Sequence, residues 1–178
     1  MIHSFKHSPV TASILLALSS PMYTTNLIAD PGDPIGSEFL VNSETSSFQT
    51  DSSIAMDANG GFVIAWESLY QDGATNGVYA QRYLADGTAA GGEFRVNTFT
   101  TNSQTNPSVA LDQDGDFVIT WDSQNQDGSQ YGVYAQRYQA DGTRVGAEFR
   151  VNSETNNFQS APSIAMDDDG DFVIVWES

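Results

Sequence analysis

The sequence contains no cysteine among its 178 residues. Disulfide bonds, thiolate zinc sites and cysteine nucleophiles are therefore excluded. Basic residues are also few, because 6 Lys and Arg stand against 23 Asp and Glu, for a formal net charge of −17 at pH 7. Such a negative surface repels nucleic-acid phosphates and anionic lipids, so we expect neither as a partner.

Lysine and histidine are confined to the first seven residues, where His3, Lys6 and His7 lie. Residues 30–178 contain five arginines and all 23 acidic residues, for a charge of 5 − 23 = −18. Without histidine or lysine, this region has no Ser-His-Asp triad, no lysine Schiff base and no histidine-ligated metal. Any chemistry there would have to come from carboxylates, tyrosine, arginine and the backbone.

The N-terminal segment 1–29 differs in composition from the rest of the chain. Its basic start is followed by the mostly apolar residues 10–18 and then by a Ser-Ser-Pro sequence. This is the order of a secretory signal peptide, and the apolar run is shorter than the ~20 residues that span a bilayer. We predict a secreted, extracellular or periplasmic protein, with no membrane insertion after cleavage. Residues 30–36 (Asp-Pro-Gly-Asp-Pro-Ile-Gly) are predicted to be a linker.

A repeat with a period of 55 residues organises the remainder, because Trp66, Trp121 and Trp176 are each 55 positions apart. Residues 93–121 align on 148–176 without a gap, with 19 identities in 29 positions. The chain is therefore a tandem array of one unit. Within a β-repeat array over 37–178, we predict an initial strand and connection at 37–52, units at 53–106 and 107–161, and a partial unit at 162–178.

Each unit is predicted to contain four short strands. In the second unit these are 107–112, 116–121, 133–138 and 148–152. Asp-Gly pairs mark the hairpin turns, in which glycine adopts positive φ. No segment shows a sustained 3.6-residue apolar period, so helices are not expected. Residues 38–42 (Glu-Phe-Leu-Val-Asn) match the fourth strand of a unit and are predicted to be an isolated strand of that type.

The second strand of each unit indicates how the sheets pack. In 116–121, Phe117, Ile119 and Trp121 share one face, whereas Val118 and Thr120 share the other. A strand that is apolar on both faces is covered on both, and identical sheets stacked in series would place a bulky face on a small one. This arrangement favours a core role for the tryptophans over sugar stacking.

The linker between units separates the possible architectures. Nine residues, 98–106, lie between two units and reach about 30 Å when extended, enough to return from an outer strand to the inner strand of the next blade. We therefore predict an all-β protein of tandem four-stranded antiparallel meanders, arranged as a β-propeller-like array that forms an incomplete propeller. A β-sandwich of long hairpins is the alternative.

Four motifs carry a resemblance to a known kind of repeat: Glu-Phe-Arg-Val-Asn at 93–97, Asp-Gly-Asp-Phe-Val-Ile at 114–119, Gln-Asp-Gly at 126–128 and Gly-Val-Tyr-Ala-Gln-Arg-Tyr at 132–138. The array resembles the extracellular β-repeats, roughly 55 residues long, of large secreted bacterial and cyanobacterial proteins. The resemblance implies an extracellular repeat protein, and no defined activity comes with it.

Loop and strand motifs supply the candidate ligand-binding residues. Carbohydrate is the ligand class they would suit, through hydrogen bonds and aromatic contacts. The candidates are Gln71, Asp72, Arg82, Tyr83, Gln126, Asp127, Arg137 and Tyr138.

The Asp-Gly turns supply the candidate metal ligands. Clustered carboxylate oxygens suit Ca²⁺, although Asp and Gly at these positions equally suit a simple hairpin turn. The candidates are Asp112, Asp114, Asp116, Asp167, Asp169 and Asp171. No cofactor is required by the sequence, and Ca²⁺ is the metal that this pattern would accommodate.

We predict a non-catalytic extracellular repeat module that acts in surface architecture or adhesion. A carbohydrate-binding, lectin-like propeller is the alternative. A glycoside hydrolase is less favoured, because the candidate carboxylates recur in each unit whereas a catalytic site normally breaks repeat symmetry. Propellers typically have four to eight blades, so further repeats of a longer parent chain, or self-association, are the expected partners, with glycans as a further candidate.

Overall fold

The computed structural model describes residues 38–73 and 75–178. Residues 42–178 form one compact unit, which contains every described strand. The predicted signal peptide and linker lie outside the described residues. Within the described ranges there is no helix, and so none long and apolar enough to cross a membrane.

Among the described residues, ten strands form three antiparallel sheets, and neighbouring strands in each sheet are consecutive in sequence. The strands of the first sheet are β1 (Gln49–Met56), β2 (Phe62–Leu69), β3 (Asn76–Tyr83) and β4 (Phe94–Arg95); those of the second are β5 (Gln104–Leu111), β6 (Phe117–Gln124), β7 (Tyr131–Tyr138) and β8 (Arg144–Arg150); and those of the third are β9 (Ser160–Met166) and β10 (Phe172–Glu177). The predicted four-stranded meander is confirmed in the first two units, and the third contains the first two strands of the pattern.

The first strand of each sheet is longer than predicted. In the second sheet, Pro107 was expected to begin the strand, but β5 begins at Gln104. The pairing of β5 with β6 shifts register between Thr105 and Ser108, so Pro107 lies in a bulge. Pairing with β6 is present on both sides of the bulge. Because proline lacks an N–H donor, a bulge is one of the few places that it can occupy in a strand. The corresponding shift in β1 lies between Thr50 and Ser53.

Residues 38–42 do not form the predicted strand. The matching segments of the later units, which contain β4 and β8, pair with β3 and β7 of their own units. In those two units the motif becomes a strand by pairing with the third strand.

The small face of the first sheet packs on the bulky face of the second, as predicted. One buried cluster joins Val63 and Ala65 of β2 to Phe117, Ile119 and Trp121 of β6. Both faces of β2 and of β6 are buried. Burial of each such large apolar side chain stabilises the fold by roughly 1.5–3 kcal/mol, so this interface is a main source of stability.

The third sheet differs from the first two in the burial of its small face. Val173 and Val175 of β10 are 67% and 60% exposed, whereas Val63 in β2 and Val118 in β6 are 3% and 2% exposed. Each of the first two small faces is covered by the sheet that follows, and no described sheet follows β10. The small face of β9–β10 is therefore exposed in the described structure.

Candidate functional site

The loop glutamines predicted to bind a ligand are bonded within the protein. Gln71 Nε2 donates to Glu93 Oε1 at 2.5 Å, and Glu93 Oε2 accepts from the backbone N of Ser43 at 2.7 Å and from its Oγ at 3.0 Å. The second unit repeats this arrangement with Gln126, Glu148 and Thr98. Its three distances are 2.5, 2.7 and 2.9 Å. We call each three-residue group a glutamate clasp, since it ties the loop after the second strand to the segment of chain that leads into the same sheet.

The loop aspartates lie under the start of the third strand. A Cβ added to Gly77 would come within 2.7 Å of Asp72 Oδ2, and one added to Gly132 within 2.7 Å of Asp127 Oδ2. The two aspartate carboxylates therefore lie close against the backbone of these glycines. Asp127 Oδ1 also accepts from the backbone N of Ser129 at 3.1 Å. Asp127 thus bonds to its own loop, and Asp72 lies at the equivalent position of the first unit.

The predicted arginine–tyrosine pairs do not form open pockets. The rings of Tyr83 and Tyr138 stack on Phe62 and Phe117 with centroids 4.9 and 4.7 Å apart, and both tyrosines are buried. Burial raises the pKa of each tyrosine hydroxyl to about 12. The structure thus places these two side chains in the core, out of reach of an external ligand.

The two arginines next to these tyrosines have different surroundings. Arg82 Nη1 donates to the carbonyl oxygen of Ala140 at 2.6 Å, in the β7–β8 turn of the following unit. Arg137, its equivalent in the second unit, is exposed. Arg82 therefore connects its blade to the following one. Arg137 has the same position in the second blade, and the described part of the unit that follows has two strands.

The Asp-Gly turns are closed by their first aspartate. Asp112 Oδ1 accepts from the backbone N of Asp114 and of Asp116, both at 2.9 Å. Asp167 Oδ1 accepts from the backbone N of Asp169 at 3.1 Å and of Asp171 at 2.9 Å. Among the described residues, no group of three acidic side chains is gathered as metal ligands. The geometry seen is that of an Asx turn, which the same residues form without a metal.

We expect CaCl₂ and NaCl at matched ionic strength to raise the melting temperature equally. One carboxylate oxygen of each leading aspartate already accepts two backbone N–H groups, so added salt would act by screening the negative charge. Thermal melts followed by circular dichroism measure this. A rise specific to Ca²⁺ and absent with Mg²⁺ would contradict the expectation and assign a cation to the turns, because a ligand of the folded state stabilises it by mass action.

A second polar site was not anticipated from the sequence. The residue after each repeated tryptophan is acidic, namely Glu67, Asp122 and Glu177. Glu67 and Asp122 are 4% and 1% exposed, whereas Glu177 is exposed. The sequence signal for this site is a repeated position: an acidic residue follows the tryptophan of the second strand in each unit, at intervals of 55 residues.

Asn106 joins the two buried carboxylates. Its backbone N donates to Glu67 Oε1 at 2.8 Å, and its side-chain Nδ2 donates to Asp122 Oδ2 at 2.6 Å. Asp122 Oδ2 also accepts from the backbone N of Ala161 at 3.3 Å, and Asn76 Nδ2 donates to Glu67 Oε2 at 2.7 Å. Asp122 Oδ1 is buried and accepts no hydrogen bond.

Both carboxylates are harder to ionise than in water. Burial is the main cause that raises the pKa of Asp122, to about 6, and the Glu67 and Glu177 charges act in the same direction. Burial is likewise the main cause of the raised pKa of Glu67, to which the nearby Asp51 carboxylate contributes. A buried acid with one oxygen left without a donor favours the protonated form.

Three strand bulges surround a shallow depression above these carboxylates. Asp51, Asn106 and Ala161 have φ angles of 50°, 53° and 52° and lie 55 residues apart. The depression has a volume of about 300 Å³ and is open to solvent. Its lining residues are Asp51, Ser52, Asn106, Pro107, Ser108, Ala161 and Pro162. We call it the bulge depression.

Comparisons with known proteins identify the fold. No protein-family model matches the chain, and no curated protein matches it. An endo-arabinase from Bacteroides thetaiotaomicron is similar in structure, with 17% identity and a TM-score of 0.51 over 76% of this chain and 53% of that one. An α-L-arabinofuranosidase from Lactobacillus brevis has 13% identity and a TM-score of 0.48 over 81% of this chain and 48% of that one.

The chain therefore spans about half the length of each of these enzymes. At 17% identity the likeness to the endo-arabinase concerns the fold alone. Together with the stacked antiparallel sheets, it confirms the prediction of an all-β, β-propeller-like array that is an incomplete propeller. Function has to be argued from the side chains of this chain.

Proposed function

We propose that the chain is a non-catalytic repeat module in extracellular surface architecture or adhesion. The observation that carries this proposal is the glutamate clasp, which occurs with the same geometry in both complete units. Gln71 and Gln126 were among the predicted ligand-binding residues, yet both donate to a glutamate that also accepts from the segment leading into its own sheet. Identical internal contacts in successive blades favour a scaffold.

The state of the carboxylates also supports a non-catalytic role. Glycoside hydrolysis normally needs two carboxyl groups that flank the scissile bond and reach the substrate. Glu67 and Asp122 are 4% and 1% exposed, and three of their four oxygens accept hydrogen bonds within the protein. Side chains in this condition join neighbouring blades through hydrogen bonds and do not reach a sugar in solvent.

Export is part of the proposal and rests on the sequence. The basic start, the short apolar run and the Ser-Ser-Pro sequence in residues 1–29 follow the order of a secretory leader. The resemblance to extracellular repeats, carried by residues 93–138, points the same way. Because the chain has no cysteine, its stability outside the cell would depend on blade packing alone.

We expect the purified full chain to release no reducing sugar from arabinan or other plant polysaccharides and to bind no sugar on a glycan array. The first assay tests for glycoside hydrolase activity, and the second tests for lectin-like carbohydrate binding. Hydrolysis that is lost in the Glu67→Gln or Asp122→Asn variant, while the fold is retained by circular dichroism, would contradict the proposal. Hydrolysis unchanged in both variants would indicate a contaminating enzyme.

Carbohydrate binding is a second candidate function, favoured by the bulge depression. Asp51, Ser52, Asn106 and Ser108 could hydrogen-bond sugar hydroxyl groups there. If the array shows binding, two variants separate the possible sites. Loss in Asp51→Ala, with binding kept in the double variant Asp72→Ala/Asp127→Ala, would identify the depression; the reverse pattern would identify the Gln-Asp-Gly loops.

A further inference from the structure

The turn between β1 and β2 contains an asparagine that is followed by a glycine, Asn59-Gly60. The corresponding turns of the second and third units have an aspartate before the glycine, at Asp114 and Asp169. Of these three turns, the first alone has an amide at this position. The Cγ carbon of an asparagine amide is open to attack by a neighbouring nitrogen, whereas an ionised carboxylate resists such attack.

The glycine of this turn is fixed by the backbone conformation. Gly60 has a φ angle of 87°, and its equivalents Gly115 and Gly170 have φ angles of 87° and 86°. A Cβ added to Gly60 would also lie 3.2 Å from the Cβ of Ala85. Residues with a side chain rarely adopt this conformation, so the turn keeps glycine after Asn59. A glycine has no side chain to shield its backbone nitrogen from the residue before it.

The side chain of Asn59 is exposed to water. Its backbone N donates to Asp57 Oδ1 at 2.7 Å, and none of the described residues forms a hydrogen bond with its side-chain amide. The backbone N of Gly60 donates to the carbonyl oxygen of Asp57 at 3.1 Å. The paired residues nearest the turn are Met56 and Phe62. The nitrogen of Gly60 can therefore turn toward the amide by breaking one hydrogen bond, while the β1–β2 ladder stays intact.

The second Asn-Gly pair of the chain, Asn76-Gly77, is restrained on both residues. Asn76 Nδ2 donates to Glu67 Oε2 at 2.7 Å. Gly77 is buried, and both residues of the pair lie in β3, where they are paired with β2. A Cβ added to Gly77 would come within 2.7 Å of Asp72 Oδ2, so little room is left for the backbone to rotate. The two pairs have the same chemistry in opposite surroundings.

We propose that Asn59 is a site of spontaneous deamidation, with water as the co-reactant. The backbone nitrogen of Gly60 attacks Cγ of Asn59 and forms a new C–N bond. The side-chain nitrogen leaves as ammonia, taking the proton that the Gly60 nitrogen loses. Water then opens the resulting succinimide ring at one of its two C–N bonds. Opening at Cγ gives aspartate, and opening at the backbone carbonyl carbon gives isoaspartate. One water is consumed, one ammonia is released, and nothing is oxidised or reduced.

The two products fit the turn differently. Asp114 shows that the turn accepts aspartate, because its backbone N donates to the leading aspartate at 2.9 Å, as that of Asn59 does at 2.7 Å. Isoaspartate adds one carbon to the backbone before Gly60. This displaces the backbone N atoms of Gly60 and Gly61 from Asp57, to which they now donate at 3.1 and 3.0 Å. The inference goes beyond the scaffold function and does not depend on it.

Peptide mapping of the folded full chain, incubated at mildly alkaline pH, tests the proposal. Chymotryptic cleavage after Trp66 separates the two Asn-Gly pairs. The peptide that contains Asn59 should become heavier with time by about 1 Da, or by about 3 Da when the incubation is in water labelled with heavy oxygen. The peptide that contains Asn76 should react at least about tenfold more slowly. In the Asn59→Asp variant, the first peptide should keep its mass.

Incubation of the same chain in urea is the control for the role of the fold. Unfolding frees Asn76 from Glu67 and from the strand pairing, so both pairs should then react at similar rates. The Asn59→Asp variant also tests the accepted product. Its midpoint of urea unfolding should equal that of the unreacted wild-type chain, because Asp114 has the same place in the second unit. The isoaspartate form, separated by chromatography, should unfold at a lower urea concentration.

Four results would overturn the proposal. The first is a folded chain whose Asn59 peptide keeps its mass while the chain in urea reacts. The second is an equal rate at Asn59 and Asn76 in the folded chain. The third is a gain in mass of the same peptide in Asn59→Asp, which would assign the reaction to another residue. The fourth is a lower urea midpoint for Asn59→Asp, which would show that the first turn does not accept aspartate as the second does.

Discussion

Replacement of Trp121 by alanine is expected to lower the free energy of unfolding by about 3–5 kcal/mol, the range for truncation of a buried large aromatic residue. Trp121 is fully buried, at 0% exposure, in the cluster where the small face of the first sheet meets the bulky face of the second. The cavity would lie at the seam between blades, where no flexible loop can fill it. Urea unfolding followed by circular dichroism measures the loss.

The repeat offers a matched control for this variant. Trp176 occupies the same position in the third unit but is 37% exposed. Its replacement by alanine should cost about 1 kcal/mol, because less apolar surface returns to water. Equal losses at both positions would contradict the assignment of the first seam as the main core. The same comparison would show whether the two seams unfold together, as a cooperative array requires.

Replacement of Asp122 by asparagine should stabilise the fold at pH values near 8 by up to about 3 kcal/mol. The pKa of Asp122 is raised to about 6 by burial, and that of an unperturbed aspartate is 3.8. The folded state therefore holds the proton more tightly than the unfolded state does. Its stabilising contribution is complete below the unfolded pKa and is lost as the pH rises through about 6.

The wild-type chain should accordingly become more stable as the pH falls from about 8 to about 5, and Asp122→Asn should reduce this dependence. The remaining slope is expected from Glu67, whose pKa is also raised by burial. Lower pH is avoided, because the pKa values of Asp86, Asp141 and Glu154 are lowered by hydrogen bonds and these groups lose stabilisation there.

Asp114→Asn is the control for Asp122→Asn, since it removes the same charge from an exposed turn. It should change stability by a few tenths of a kcal/mol and leave the slope against pH intact. Chemical unfolding at several pH values measures both variants. If the two variants behave alike, the effect is one of net charge, and the buried position of Asp122 is not its cause.

Strand order, face assignment and turn chemistry were determined by the sequence alone. Alternation of Phe117, Ile119 and Trp121 with Val118 and Thr120 depends only on the two-residue period of a strand, and Asp-Gly turns depend on residues that are close in sequence. The 55-residue period also predicted that the units stack in series, because a unit that is apolar on both faces needs a neighbour on each side.

The sequence did not predict the strand bulges or the absence of a strand at 38–42. A bulge is defined by the pairing between two strands, as the shift between Thr105 and Ser108 shows. Likewise, Glu-Phe-Arg-Val-Asn at 93–97 contributes β4 because β3 is available to pair with it. The related Glu-Phe-Leu-Val-Asn at 38–42 is not a strand although its local propensity is similar, so the prediction from propensity alone was wrong there.

Only the tertiary structure decided which polar side chains meet. Glu67 and Asn106 are 39 positions apart in sequence, and Ser43 and Glu93 are 50 apart. Stacking of one blade on the next brings Glu67 and Asn106 within hydrogen-bond distance and buries the carboxylate, whereas Ser43 and Glu93 are brought together by the folding of the first sheet. Asp122 and Glu177 have the same place in the repeat, yet the first is 1% exposed and the second lies on the surface. The sequence specified the repeated unit, but burial, pKa and partner depend on whether another blade covers it.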